Sequence, residues 1–518
     1  MVAAWLLAIP LMAQQGTYWA ENDYLDHMDQ LRVWLGLLWE HGFTAVNTRY
    51  WEPYWDVSHE MNPHPPGFKW AGMLARAVLP DLPFPLAERL PTTLLHAFCV
   101  AGAFLVVARQ AGLPAGLLTA VLLGTMPRFL GHVFAVTADV WVAAAGFGGG
   151  LAWAAWLAGK GRRWFVVAAV AFAVALSSKT AAVVMLGTWG CLAAVERWRG
   201  PPRTWWPPLL GLGLVALGGV TLLCVTFPWL WPDPPGLLVR MVEQTARWTR
   251  TYRFSALYMG MVDDHTNIPW HWPFVTLFMT TPPPILMGAA FSLSRDALRS
   301  HLWRAVAVNI AFWLVLGATP LLPRYDNERQ LLPVMPWLVV AAGLGWARVG
   351  RLLAARVTSW KVPVALLMSG VVGGASVLAL VAELPHPLGY YSPLVGGKAG
   401  AVQLGFESTY YLEILDAPTL RAIEDVLPPG ATVNFIPGLD VARFNQRRGF
   451  LRADLKLEAE AQFVVLVARH AIHSEGVKRL RARGTPLLLL ASDDVMMVDV
   501  WYDPVPQRVL NAQPGPEG

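Results

Sequence analysis

The chain has 518 residues, of which 55% are hydrophobic and only 14% charged, and it carries 26 Trp. A soluble globular protein holds about 25% charged residues. The composition therefore excludes a soluble, disordered or fibrous chain and points to a membrane protein with many spans, where Trp gathers at the interfaces.

A spanning helix needs about 20 apolar residues. Eleven runs are candidates for such helices, starting near residues 2, 89, 113, 138, 164, 180, 207, 273, 303, 331 and 362, the first of them only if it continues toward Trp19. The first, Val2 to Ala13, is too short to span. It has neither a basic leader nor a small-residue cleavage site, so it is not expected to be a signal peptide. With the N-terminus inside, fourteen Lys and Arg fall on cytoplasmic connections, among them Arg109, Lys160, Arg197, Arg304 and Arg348. The short opposite connections hold four: Arg128, Lys179, Arg324 and Arg329. This asymmetry follows the positive-inside rule, and the odd number of spans places everything after Glu383 outside the cytoplasm. The predicted architecture is mainly α, with a transmembrane part over 1–382 and large outer loops at 14–88 and 227–272.

The tail, 383–518, alternates short apolar runs with polar helical stretches. The runs are Ala431–Ile436, Phe463–Ala468, Pro486–Ala491 and Val495–Trp501; the helical stretches are Ala442–Arg448 and Ser474–Arg483. That pattern predicts a small extracytoplasmic α/β domain with about four strands. The glycine runs Gly146–Gly150 and Gly211–Gly219 lie inside apolar spans and predict close helix packing. Cys99, Cys191 and Cys224 all sit in apolar stretches, which leaves no disulfide framework or zinc-ribbon spacing.

Ionisable groups at membrane level are costly and ask for a reason. Here they gather on the outer side. The first loop carries Glu21-Asn22-Asp23-Tyr24-Leu25-Asp26-His27, then His59-Glu60 and His64-Pro65-Pro66-Gly67-Phe68-Lys69. Asp139 opens the fourth span, Lys179 lies in the turn between the fifth and sixth, and Arg324 to Arg329 precede the tenth. A transferase that takes a group from an anionic lipid needs this set: a carboxylate base for the acceptor hydroxyl and cations for the departing phosphate. Each residue also has a plainer reading. Asp139 fits a helix N-cap, Arg324 and Arg329 fit headgroup anchors, and Lys179 fits a snorkelling side chain. The His59 to His64 spacing is not HExxH, and His265 and His271 fit interface histidines as well as a metal half-site. A transporter or lipid flippase is the alternative class, but it would place charges near mid-membrane in repeated halves, and no repeat is visible.

The order of motifs resembles the GT-C glycosyltransferases, in the group of bacterial protein O-mannosyltransferases and aminoarabinose transferases. The resemblance covers most of the chain. It rests on the acidic first loop, His64 to Lys69, Pro127-Arg128-Phe129-Leu130-Gly131-His132 leading to Asp139, Ser178-Lys179, and Phe227 to Asp233. It continues through Pro269 to Pro273, Arg324 to Pro333, Tyr390 to Gly397 and Gly405-Phe406-Glu407. It implies an inverting transfer from a polyprenyl-phosphate sugar to a hydroxyl of a protein, lipid or glycan, on the outer face of a bacterial inner membrane and with no nucleic-acid partner. Asp23 then maps to the general base, with Asp26 as rival, and Asp139 to the second acid of the cavity. Arg329 would hold the lipid phosphate, helped by Lys179, Arg324 and Lys69. Some members use a divalent metal, for which His64 and His265 are the corresponding ligand candidates.

Overall fold

The computed structural model describes residues 9–17, 19–46, 64–199, 206–251, 253–294, 299–356, 361–482 and 484–503. His59, Glu60 and the start of the first apolar run lie outside them. The long first connection is itself helical: α1 (Trp19–His41) and α2 (Gly67–Val78) follow a helical segment at 9–14. Tyr24, Leu25, Met28, Leu31 and Trp34 fall on one buried face of α1, the spacing of an amphipathic helix lying against a larger body.

The membrane body comprises α3 (Leu86–Ala111), α4 (Leu113–Gly124), α5 (Pro127–Val133), α6 (Ala138–Leu157), α7 (Arg162–Leu176), α8 (Val184–Arg199) and α9 (Trp206–Thr226). After α10 (Pro234–Thr251) and the hairpin β1 (Ser255–Tyr258) and β2 (Met261–Asp264) come α11 (Trp272–Thr280), α12 (Pro283–Ser292) and α13 (His301–Ala318). The body ends with α14 (Met335–Ala354) and α15 (Lys361–Val381). Helices occupy every apolar run from residue 89 onward, but the expected eleven full spans are not reproduced. Among the described residues five helices are long and apolar enough to cross a membrane, or six if α4 and α5, bent by 63°, form one span. Proline explains two of the breaks. Met126 before Pro127 and Thr281 before Pro282 are both extended, as a residue preceding proline prefers.

Two spans show how the body is layered. In the helix running from Asn327 through α14, 83% of the apolar window is buried; in α9 only 22% is, with Leu209, Leu210, Leu214 and Leu217 exposed. The first is the centre of the bundle and the second presents its side chains to lipid. Glycines let the inner helices close. A Cβ on Gly149 would lie 2.8 Å from the Trp189 ring, and one on Gly150 would lie 2.8 Å from Trp337. At one end of the bundle, Arg304 at the start of α13 makes a two-pronged ion pair with Glu196 at the end of α8 (2.7 Å and 2.7 Å). The opposite end carries the groups described below.

The tail adds α16 (Gly397–Gln403), α17 (Ala417–Asp425), β3 (Thr432–Ile436), α18 (Leu439–Arg447), β4 (Lys456–Leu457), β5 (Phe463–Val467), α19 (Glu475–Arg481), β6 (Leu488–Ser492) and β7 (Val495–Tyr502). Its five-stranded sheet has the order β4-β3-β5-β7-β6. β3 runs parallel to β4 and β5, while β7 is antiparallel to β5 and β6. All four apolar runs form strands; β4 is the addition. The tail docks on the helical body through several contacts, two of them away from the charged end described below. Arg447 and Arg448 at the end of α18 reach Asp26 and Asp29 of α1 (2.6 to 3.0 Å), and Gly260 in the β1–β2 turn donates its N–H to the Gly405 carbonyl (3.0 Å).

Candidate active site

Three chain connections meet at the end of the bundle opposite Glu196 and Arg304. The first is the start of α6. Thr137 is extended and its hydroxyl accepts from the Asp139 N–H (3.2 Å), so Thr137, not Asp139, is the N-cap. The Asp139 carboxylate is thereby left for long-range partners. The second is the turn after α7, where Lys179 is extended (φ −154°, ψ 129°) and donates its ammonium to Asp139. The third precedes α14. Asp326 and Asn327 both adopt left-handed backbone (φ 54° and 47°), a conformation that Asn and Asp tolerate better than most residues. This kink turns the 3-10 segment Asn327–Val334 inward, and Arg329 Nε reaches the other Asp139 oxygen at 2.9 Å.

The cluster extends into the tail. Asp326 accepts from Arg329 Nη1 (3.3 Å) and from Arg469 Nη2 (2.7 Å), just beyond β5. Three cations thus face two carboxylates, and all five residues have buried or nearly buried side chains. Beneath them, fully buried Glu328 accepts from Arg128 (2.7 Å) and pairs with His132 (3.1 Å), while Arg128 also donates to the Tyr390 carbonyl (2.6 Å). This fixes the turn that carries Arg329. Buried charges persist only when paired in this manner.

Asp23 occupies a different setting. Its helix is pinned by Glu21, whose carboxylate takes two bonds from Arg89 (2.8 and 2.7 Å) and one from the Val136 N–H (2.8 Å), three residues before Asp139. Asp23 itself has no hydrogen bond to the described residues. Its carboxyl is pushed up to about 7 by burial first, then by the charges of Asp440 and Asp26, against a smaller opposing pull from Lys69. Asp139, not Asp23, is the carboxylate that cations hold directly. Lys69 is buried, donates to the His64 carbonyl (3.1 Å), and lies 5.5 Å from the Tyr24 ring centre. Burial holds its ammonium well below the ordinary Lys value. The His64 ring links the two settings: burial first, then the charge of Lys179, with Lys69 and Arg329 adding to it and Asp139 opposing, hold it well below the usual histidine range.

The structure thus gathers Asp139, Lys179 and Arg329 directly, with His64, Lys69 and Asp23 adjoining. It does not bring Arg324 or Asp26 to Asp139. The Arg324 guanidinium donates to the carbonyls of Gly317 (3.1 Å) and Ile268. Asp26 is held by Arg447 and Arg448 in the docking contact. His265 accepts from the Phe254 N–H (3.2 Å) and packs edge-on to Tyr325, within the hairpin loop. Among the described residues no three His, Cys, Asp or Glu side chains come together as a metal site. Sequence reasoning did not single out Arg469 or Arg89, and it quoted Glu21, Arg128, Asp326 and Glu328 within motifs without giving them roles. The available signal was charge beside apolar runs: Arg469 follows the apolar run Phe463–Ala468, and Arg128 and Arg89 lie at helix starts.

No protein-family model matches the chain, and no curated protein matches its sequence. Among solved structures, it is similar to the crystal structure of ArnT from Cupriavidus metallidurans in the apo state. The identity is 15% and the TM-score 0.50, over 96% of both chains. The same protein bound to undecaprenyl phosphate aligns at 14% identity over 96% of this chain and 97% of that one, with a TM-score of 0.48. At such identities the apo likeness establishes the fold alone: the chain folds like ArnT, helical through its body, with the tail included in the match.

Proposed function

We propose that this GT-C-fold chain is an inverting glycosyltransferase that moves a sugar from a polyprenyl-phosphate donor to an acceptor hydroxyl at the extracytoplasmic face of the inner membrane. The observation that carries the reading is the buried convergence of Lys179 and Arg329 on the one Asp139 carboxylate, two cations that a phosphate could bridge. Arg329 and Lys179 are assigned to the lipid phosphate and Asp139 to holding both in place. Arg324 and Lys69 are left with supporting roles.

Asp23 is assigned as the base. A carboxyl titrating near neutral pH is well matched to accepting a proton there. The acceptor oxygen attacks the anomeric carbon as its proton passes to the Asp23 carboxylate. The bond from that carbon to the phosphate oxygen breaks on the opposite side, and the electron pair leaves with the phosphate onto Arg329 and Lys179. No step is routed through a metal. The positive-inside asymmetry supports the outward orientation of this end and of the tail domain, and the runs of apolar helix support up to eleven crossings, some short or broken. The test is sugar transfer from a polyprenyl-phosphate donor by purified Asp23→Asn protein in lipid nanodiscs. Loss of transfer with retained donor binding supports the assignment; full activity overturns it.

A further inference from the structure

The end of the bundle opposite the charged cluster handles its charges differently. At the cluster end cations are paired with carboxylates: Arg89 with Glu21, Arg128 with Glu328, Arg329 with Asp139. At the other end lies the turn from α6 to α7. Gly159 and Gly161 both have positive φ (77° and 106°), which sets Lys160 at the tip of the turn. Arg162 and Arg163 follow at once as the first residues of α7. All three cations are exposed, and none has a carboxylate partner or a side-chain hydrogen bond among the described residues. Arg163 meets only the Trp164 ring, 5.5 Å from its centre. The sequence offers them no local acid, since no Asp or Glu occurs between Val140 and Val195. Glu196, the next along, is already held by Arg304 and His301 (2.7 and 2.8 Å).

Beside these charges the surface is apolar and open. α7 exposes Val166 and Val170, and α9, packed against it, exposes Leu210 and Leu214. Glycines keep the outer side of α9 low. A Cβ on Gly213 or Gly218 would meet nothing within 4 Å, whereas one on Gly219, facing inward, would lie 2.5 Å from the Phe172 ring. Both helices start at this end, so their exposed side chains run from the three cations toward the membrane interior. Trp206, the first residue of α9, is 77% exposed, as suits an aromatic at the membrane–water boundary. Unpaired cations above an apolar valley match one kind of molecule, an amphiphile with a negative head. A zwitterionic head brings its own ammonium, which the three cations repel. A free phosphate gains nothing from the valley, and an acidic protein cannot reach it through the bilayer.

We infer that the α7–α9 corner binds an anionic phospholipid, with its headgroup phosphate on Lys160, Arg162 and Arg163 and its acyl chains along α7 and α9. This site is separate from the groups assigned to the donor and does not depend on the transferase reading. The experiment is electron spin resonance of spin-labelled phosphatidylglycerol and phosphatidylcholine, with the full chain in phosphatidylcholine nanodiscs. It measures how strongly each lipid is held at the protein surface. Phosphatidylglycerol should associate about five- to tenfold more strongly, the effect of one or two cations beside an anionic lipid. Raising salt should narrow the gap. Lys160→Gln combined with Arg162→Gln and Arg163→Gln should remove most of it. A photoactivatable phosphatidylglycerol should cross-link to 160–170 and 206–217 of the unmutated protein, which reports the place independently of how the variant folds. Equal association of the two lipids, a preference untouched by the substitutions, or cross-links confined to other helices overturns the inference. So does binding of polyglutamate to the detergent-purified chain without any lipid preference, which would give the corner to an acidic protein.

Discussion

The two carboxylates at the end of the bundle, Asp139 and Asp23, are alike in chemistry and opposite in setting. Asp139 is engaged by Lys179, Arg329 and Thr137, which use both of its oxygens. Asp23 lies on an amphipathic helix beside two more acids, with no hydrogen bond to the described residues. The first arrangement spends its negative charge on holding cations in place. The second keeps a carboxyl whose proton affinity is high enough to take up a proton near neutral pH. Sequence position alone makes both look like catalytic acids; their partners separate an organiser from a base.

The sharpest way to break this contrast is to neutralise each side. Asp23→Asn should lower kcat by about 10²–10⁴-fold, the range of general-base catalysis, with binding of polyprenyl phosphate unchanged. Its stability should move the other way. The folded value of about 7 lies above the ordinary 3.8, so the unfolded chain gives up its proton first as pH rises. Stability falls between those values, and the penalty is complete above pH 7. The Asn variant escapes it and should melt at or above the unmutated temperature at pH 8. Loss of both activity and stability would instead make Asp23 a structural residue.

Arg329→Ala should cost about 10²–10³-fold in kcat/KM for donor, as removal of a transition-state charge partner does, and should affect acceptor dependence less. Arg329→Lys should recover only part of this, because a point charge cannot contact Asp139 and Asp326 with a planar fork. If donor dependence is unchanged, Arg329 serves the fold and not a phosphate.

A smaller effect probes the Asp23 setting itself. Activity should rise with pH to a plateau, with a midpoint near 7, because the ionised form is the base. Asp440, at the start of α18, raises that midpoint by like-charge repulsion, and Lys69 lowers it. Asp440→Asn should therefore move the acid limb to lower pH and increase relative activity at pH 6. Lys69→Met should move it the other way. Identical profiles in all three proteins would show that another group is titrating.

How much of this was legible depended on geometry. Asp139, Lys179 and Arg329 could be grouped because span counting puts the ends of alternate helices on one side, and their contact needs nothing finer. The tail strands were legible because Phe463–Val467 and Val495–Tyr502 are rich in β-branched and aromatic residues. The strand order was not, since β3 pairs with β5 across 26 intervening residues, Pro437 to Gln462, and β4 has only two residues and no periodicity to read. Glu21–Arg89 and Arg128–Glu328 join sites 68 and 200 residues apart; no local pattern encodes such pairings. Asp326 stood within a recognised stretch, but its link to Arg469 arises only when the tail folds back onto the body.

That fold-back provides the weakest and most accessible test. The contact between α18 and α1 combines buried Phe444, packed with Tyr24, Leu25 and Met28, with Arg447 and Arg448 against Asp26 and Asp29, whose side chains are up to 59% exposed. Exposed pairs contribute about 0–1 kcal/mol each and are screened by salt. Arg448 also sits 4.5 Å from the Phe84 ring centre and 5.2 Å from that of Phe444, a cation–π contact worth about 0.5–1 kcal/mol at such sites. Arg448→Ala should thus cost on the order of 1 kcal/mol, and Arg447→Ala less, since the nearest ring centre to its guanidinium is 5.9 Å away. Raising salt should shrink the Arg447 effect more than the Arg448 effect. Because α18 also carries Asp440, undocking should lower the Asp23 midpoint together with stability. An Arg448 variant whose tail becomes protease-sensitive while its pH profile stays fixed would show that docking of the tail and tuning of the base are separate matters.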